Sequence, residues 1–138
     1  LSYSKEVGGA MAKRILVIDD ERLIRHVIKE MLEIEGYVVT TAANGKEGLK
    51  FYRQEPPDLV ITDIFMPEME GLETIRALQR DFSQVKIIAI SGGGERGMTS
   101  FLSHAKRFGA ILTLEKPFSR EELIASVRQV LNEEECPT

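Results

Sequence analysis

Short and nearly continuous apolar runs recur along the chain, and they alternate with stretches in which apolar residues stand three or four positions apart. The runs predict strands buried on both faces, and the wider spacing predicts helices with one apolar face. Strands are predicted at residues 14–18, 37–42, 59–62, 86–90 and 110–114. One helix is predicted after each strand: up to Gly36, then over residues 44–54, 72–81 and 98–108, and finally from Ser119 to about residue 131.

Residues that favour helix ends lie at the predicted boundaries. Asn44 with Glu47, and Ser119 with Glu122, have the spacing of a capping box at a helix start. Gly36 stands where the first helix is expected to end. These signals support the division of the chain into five strands and five helices.

Strands that alternate with helices through short connections are typical of a parallel sheet with helices on both faces. We therefore predict a single α/β domain with a doubly wound, five-stranded parallel sheet in the flavodoxin-like order 2-1-3-4-5. This unit is expected to span residues 12–134. Residues 1–11 lack periodicity and are predicted to be a disordered leader or an expression remnant, and residues 135–138 a tail.

Composition narrows the class of protein. The chain has 138 residues, 43% hydrophobic and 29% charged, and a net charge of −4, which argues against direct nucleic-acid binding. No apolar run approaches the roughly 18 residues of a membrane span. The single cysteine, Cys136, cannot form an internal disulfide, so we expect a reducing compartment, the cytoplasm.

Polar residues follow the predicted strands at the end where open α/β sheets bind ligands. Asp19 and Asp20 follow the first strand, and Asp63 follows the third, its neighbour in the predicted order. The three carboxylates should therefore share one crevice, with Ser91 and Lys116 on its rim. The alternative for Asp19 and Asp20 is that one of them simply caps the first helix.

Carboxylates held close together repel one another, and a hard divalent cation relieves that repulsion. Oxygen ligands favour Mg²⁺, or Mn²⁺, over zinc. A carboxylate is also a nucleophile toward phosphorus. The pattern therefore predicts phosphoryl transfer onto Asp63, with Lys116 pairing with a phosphoryl oxygen and Ser91 donating a hydroxyl hydrogen bond.

Several motifs in order resemble the receiver domain of two-component response regulators, over nearly the whole chain. They are Val-Ile-Asp-Asp-Glu at residues 17–21, Asp-Ile-Phe-Met-Pro-Glu-Met-Glu-Gly at 63–71, Ile-Ser-Gly at 90–92 and Leu-Glu-Lys-Pro-Phe at 114–118. The resemblance implies that Asp63 is the phosphoacceptor. It also implies that a histidine kinase or a phosphotransfer protein is the phosphoryl donor.

The same resemblance implies roles for the other site residues. Asp20 and Asp63 would bind Mg²⁺ directly, Asp19 would assist through water, and the backbone carbonyl of Phe65 would be the third protein ligand. Ser91 would be the switch hydroxyl and Lys116 the lysine that pairs with the phosphoryl group.

In this family the bond that corresponds to Lys116–Pro117 is often cis. Phosphorylation would change the binding of a downstream protein to the face formed by the helix at 98–108, the fifth strand and the last helix.

The sequence departs from the family pattern at Thr113, where a Tyr or Phe is common, so the aromatic part of the switch is not expected here. Two other functions remain open. One is a receiver-like interaction module that is never phosphorylated. The other is a nucleotide-binding protein, because residues 92–97 fit Gly-x-Gly-x-x-Gly, although Met98 replaces the lysine of a phosphate loop.

Overall fold

Five apolar runs form one parallel sheet in the computed structural model of the chain. The structure describes residues 6–7, 10–64, 71–82, 84–92 and 109–132. The strands are β1 (Arg14–Ile18), β2 (Val38–Ala42), β3 (Leu59–Asp63), β4 (Ile87–Gly92) and β5 (Leu112–Lys116). Their order across the sheet is β2-β1-β3-β4-β5, and every neighbouring pair is parallel, which confirms the predicted topology.

Four helices lie within the described residues, and together they cover both faces of the sheet. They are α1 (Arg22–Ile34), α2 (Gly45–Gln54), α3 (Gly71–Asp81) and α4 (Arg120–Val130). The predicted helix at 98–108 lies outside the described residues. Of the helices that the structure describes, none combines the length and the apolar character that crossing a membrane requires.

The predicted capping box at α4 forms in full, whereas the one at α2 forms in a modified way. Asn44 accepts a hydrogen bond from the backbone N–H of Glu47 at 2.9 Å, and the Glu47 carboxylate accepts from the N–H of Ala43. At the start of α4 the reciprocal pair is complete, because the Ser119 hydroxyl accepts from the N–H of Glu122 and the Glu122 carboxylate accepts from the N–H of Ser119, the N-cap residue. Both arrangements supply partners for backbone N–H groups at a helix start.

The core consists of two apolar layers, one on each face of the sheet. Along β1, Ile15 and Val17 pack toward α1 and α4, whereas Leu16 and Ile18 pack toward α2 and α3. A strand buried on both faces needs apolar side chains at successive positions, which explains why these strands are nearly continuous apolar runs. On the α1–α4 face, Glu35 also forms ion pairs with Arg120 and Arg128.

β4 and β5 extend further at their carboxyl ends than their apolar runs indicate. β4 continues through Ser91 and Gly92, and β5 continues to Lys116, because backbone pairing links Ser91 with Glu115 and Gly92 with Lys116. β5 starts at Leu112, two residues later than predicted. The structure also pairs Glu6–Val7 with Ala10–Met11 in a short antiparallel ladder, where the sequence predicted no regular structure. Backbone hydrogen bonds set the ends of these strands, and the pattern of hydrophobic residues does not predict those bonds.

Gly48 is a buried residue of α2 that faces Ile18 of β1. A Cβ atom on Gly48 would lie 2.3 Å from the Cδ1 atom of Ile18, a side chain that is only 1% exposed. We expect Gly48→Ala to lower the free energy of unfolding, because overpacking costs about 1–3 kcal/mol. The higher helix propensity of alanine returns at most about 1 kcal/mol.

Urea denaturation measures this difference, with Lys50→Ala on the exposed side of α2 as the control. A Gly48→Ala variant as stable as the wild type would contradict the tight packing of Ile18.

Candidate functional site

Three carboxylates meet at the carboxyl end of the two central strands. Asp19 and Asp20 follow β1, and Asp63 is the last residue of β3, which pairs directly with β1. One oxygen from each carboxylate lies within 4.8 Å of the others. Asp19 is 1% exposed and Asp63 is 5% exposed, whereas Asp20 is exposed to solvent. The structure thus brings together the three acids that the sequence placed in one crevice.

Backbone and side-chain bonds fix Asp19 in the turn between β1 and α1. Its N–H donates to the carbonyl of Ala42 at 3.1 Å, and its Oδ1 accepts from the N–H of Glu21 at 2.8 Å. The residue at the N-cap position of α1 is Glu21, whose side chain makes no capping bond. Neither Asp19 nor Asp20 therefore occupies the N-cap of α1, contrary to the alternative interpretation of these residues.

Lys116, the last residue of β5, reaches across the edge of the sheet into the acidic cluster. Its Nζ lies 3.0 Å from Oδ2 of Asp19, 3.3 Å from Oδ2 of Asp63 and 4.0 Å from Oε1 of Glu21. Burial works to lower the pKa of Lys116, but the charges of Asp63 and Asp19 and their hydrogen bonds outweigh it and raise the pKa. The ammonium group is therefore charged at neutral pH and offsets part of the repulsion between the carboxylates.

The remaining predicted site residues occupy distinct places. Ser91 lies in β4, one position after the residue that pairs with Asp63, is 0% exposed, and its hydroxyl has no hydrogen-bond partner among the described residues. Thr113 lies partly buried in β5, opposite Ala89. The Lys116–Pro117 bond is cis, as the resemblance implies. Phe65, whose carbonyl is a predicted ligand, lies outside the described residues.

Two contacts at the site were not predicted from the sequence. The Nη1 atom of Arg25 donates to the backbone carbonyl of Asp19 at 2.8 Å, and Glu21 places a carboxylate near Lys116. Arg25 lies in the first turns of α1, six positions after Asp19, so a helix that folds back over the turn brings it there. That spacing is the only signal in the sequence, and it is weak without the turn geometry.

Acidic oxygens of this kind fit a hard divalent cation. Both oxygens of Asp19 already accept hydrogen bonds, one from Glu21 and one from Lys116. The exposed carboxylate of Asp20 and the carboxylate of Asp63 face the same volume. Such a set of oxygen ligands, partly open to water, suits Mg²⁺, which keeps several waters when it binds to proteins.

The described residues include little of the glycine-rich motif on which the nucleotide-binding alternative rests. Within residues 92–97, only Gly92 is described, and it pairs with Lys116 at the end of β4. The glycine motif thus begins beside the acidic cluster, at the rim of the same crevice.

Comparison with known proteins identifies a family over most of the chain. Residues 15–128 match the family model of the response regulator receiver domain. The chain is 35% identical over 123 residues to the chemotaxis protein CheY of Bacillus subtilis, which covers 88% of this chain and 100% of CheY. It is 40% identical over 119 residues to the probable transcriptional regulator ycf27 of Porphyra purpurea, covering 86% of this chain but only 47% of that protein.

Solved structures agree with these matches. A response regulator receiver domain protein from Clostridium thermocellum superposes with a TM-score of 0.80 at 33% identity. The alignment covers 87% of this chain and 94% of that one.

Proposed function

Since the chain belongs to the response regulator receiver domain family, we propose that it accepts a phosphoryl group on Asp63 in a Mg²⁺-dependent reaction and thereby changes its partner binding. One observation supports this most. The Asp63 carboxylate is nearly buried between two acidic side chains and a lysine ammonium 3.3 Å away. A charged nucleophile in that position has both cation ligands and a basic partner beside it.

In the proposed reaction, one carboxylate oxygen of Asp63 attacks the phosphorus of the donor. An oxygen–phosphorus bond to Asp63 forms, and the bond from phosphorus to the leaving group breaks. The leaving group departs with the bonding electron pair and takes a proton from solvent. A histidine kinase or a phosphotransfer protein is the proposed donor, since receiver domains interact with such proteins.

We propose that Asp20 and Asp63 bind Mg²⁺ directly, that Asp19 assists through water, and that the Phe65 carbonyl completes the protein ligands. When bound, Mg²⁺ neutralises charge on the phosphoryl oxygens. Lys116 pairs with another phosphoryl oxygen while it keeps its bond to Asp19. Asp19 thus orients Lys116 as well as the turn that carries Asp20.

Ser91 is the proposed switch residue. A buried hydroxyl without a partner costs about 1–3 kcal/mol, and a hydrogen bond to a phosphoryl oxygen would remove that cost. Phosphorylation would therefore favour the conformation in which Ser91 turns toward Asp63. Thr113 replaces the usual aromatic residue, so the movement of Ser91 would act without an aromatic partner. The downstream protein would bind the face that includes β5 and α4.

Acetyl phosphate provides the test of this proposal. We expect the chain to gain one phosphoryl group in the presence of Mg²⁺, and to gain none when EDTA removes the cation. Intact-mass spectrometry measures the gain. Phosphorylation that proceeds equally in EDTA would contradict the role of the cation.

If neither acetyl phosphate nor beryllofluoride with Mg²⁺ changes the protein, the interaction module that is never phosphorylated becomes the better account. Binding of ATP or NAD instead would favour the glycine-loop alternative.

A further inference from the structure

Arg25 lies beside the site, and the proposed reaction gives it no role. Its side chain is partly buried, and Nη1 donates to the backbone carbonyl of Asp19 at 2.8 Å. The other polar groups of Asp19 are also bonded, to Ala42, Glu21 and Lys116. Asp19 is therefore held at its N–H, at both carboxylate oxygens and, through Arg25, at its carbonyl.

The carbonyl of Asp19 belongs to the peptide unit that joins Asp19 to Asp20. Because a peptide unit is planar, a bond that fixes this carbonyl also fixes the plane in which the Cα atom of Asp20 lies. Asp20 is exposed, so packing of its own side chain does little to hold it in place. The hydrogen bond from Arg25 thus acts on the member of the acidic cluster that the core constrains least.

We propose that Arg25 is a positioning residue of the cation site, which holds the Asp19–Asp20 peptide so that the Asp20 carboxylate faces Asp63. This inference rests on the proposed function, because it assumes that the cluster binds Mg²⁺. Mg²⁺ demands a near-ideal arrangement of its ligands, and residues that orient those ligands contribute to affinity. Arg25 touches neither the cation nor the phosphoryl group in this account.

A comparison of Mg²⁺ binding by Arg25→Met and by Arg22→Met distinguishes the loss of ligand positioning from the loss of a positive charge. Arg22 is an exposed arginine on the same helix, so its replacement removes the same charge without breaking the bond to Asp19. The loss of a nearby positive charge alone would strengthen Mg²⁺ binding. We expect Arg25→Met to weaken Mg²⁺ binding about tenfold relative to Arg22→Met, as measured by isothermal titration calorimetry.

Arg25→Lys is expected to restore part of the Mg²⁺ affinity that Arg25→Met loses. It keeps the charge and one donor, so we expect a Mg²⁺ dissociation constant between those of the wild type and Arg25→Met. Circular dichroism in EDTA checks that each variant is folded. If Arg25→Met does not fold, Arg25→Lys alone decides the question, because the account predicts weaker binding than the wild type at unchanged charge.

Equal dissociation constants for Arg25→Met and Arg22→Met would overturn the inference, as would tighter binding by Arg25→Met. Either result, with clear Mg²⁺ binding by the wild type, would leave the proposed function standing. A wild-type chain that does not bind Mg²⁺ would instead overturn the proposed function, and the role of Arg25 with it.

Discussion

Replacement of Asp63 by asparagine is expected to abolish the gain of a phosphoryl group from acetyl phosphate. The acyl phosphate requires a carboxylate oxygen as the nucleophile, and the neutral amide of asparagine is a poor one. The substitution keeps the size of the side chain at a position that is 5% exposed, so we expect the fold to persist. Intact-mass spectrometry of wild type and variant under identical conditions measures the effect.

Asp58→Asn is the matched control for this experiment. Asp58 precedes β3 at the opposite end of the strand, where its carboxylate accepts a hydrogen bond from the N–H of Arg14 at 2.8 Å. The same chemical change there should leave phosphorylation intact. Phosphorylation that survives in Asp63→Asn would place the acceptor elsewhere in the chain.

Lys116→Met is expected to slow phosphorylation by acetyl phosphate roughly a hundredfold, the effect of removing one preorganised donor from a developing anion. The variant also leaves Asp19 and Asp63 without their shared ammonium, whose Nζ lies 3.0 and 3.3 Å from their oxygens. Lys50→Met on the exposed side of α2 gives the same change of net charge as a control. Equal rates for the two variants would show that Lys116 contributes only general charge.

The dependence on pH follows from the raised pKa of Lys116. Because the pKa is raised above its ordinary value of 10.5, the contribution of this ion pair to folding stability is complete below that pH. It is lost only as the pH rises through the raised value. Urea denaturation without Mg²⁺ should therefore show a constant difference in the free energy of unfolding between wild type and Lys116→Met at neutral and mildly alkaline pH, which shrinks only as the pH rises through the raised pKa of Lys116.

Much of the fold is predictable from the sequence because one pattern fixes both strand positions and burial. The continuous apolar run Ile15–Ile18 requires a strand with a covered surface on each side, and short connections then leave few topologies. The ends of β4 and β5 are less predictable. Ser91 and Lys116 are polar, and only the backbone ladder between these strands reveals that the sheet continues through them.

The members of the acidic cluster are predictable for a related reason, since the strand order places the ends of β1 and β3 side by side. The contacts that hold each of these carboxylates in place are not predictable from the sequence. The sequence does not show that Asp19 is buried and bonded to Lys116 while Asp20 is exposed, because these details depend on the turn that leads into α1. The contact from Arg25 to the Asp19 carbonyl depends on the same turn, and it was missed.

Chemical mapping of the phosphoryl group tests the central claim most directly. Borohydride reduces an acyl phosphate to an alcohol, so an aspartyl phosphate becomes homoserine, which peptide mass spectrometry locates. The account predicts homoserine at position 63, and only in samples treated with acetyl phosphate and Mg²⁺. Homoserine at Asp19 or Asp20, or a phosphoryl group that borohydride does not remove, would contradict it.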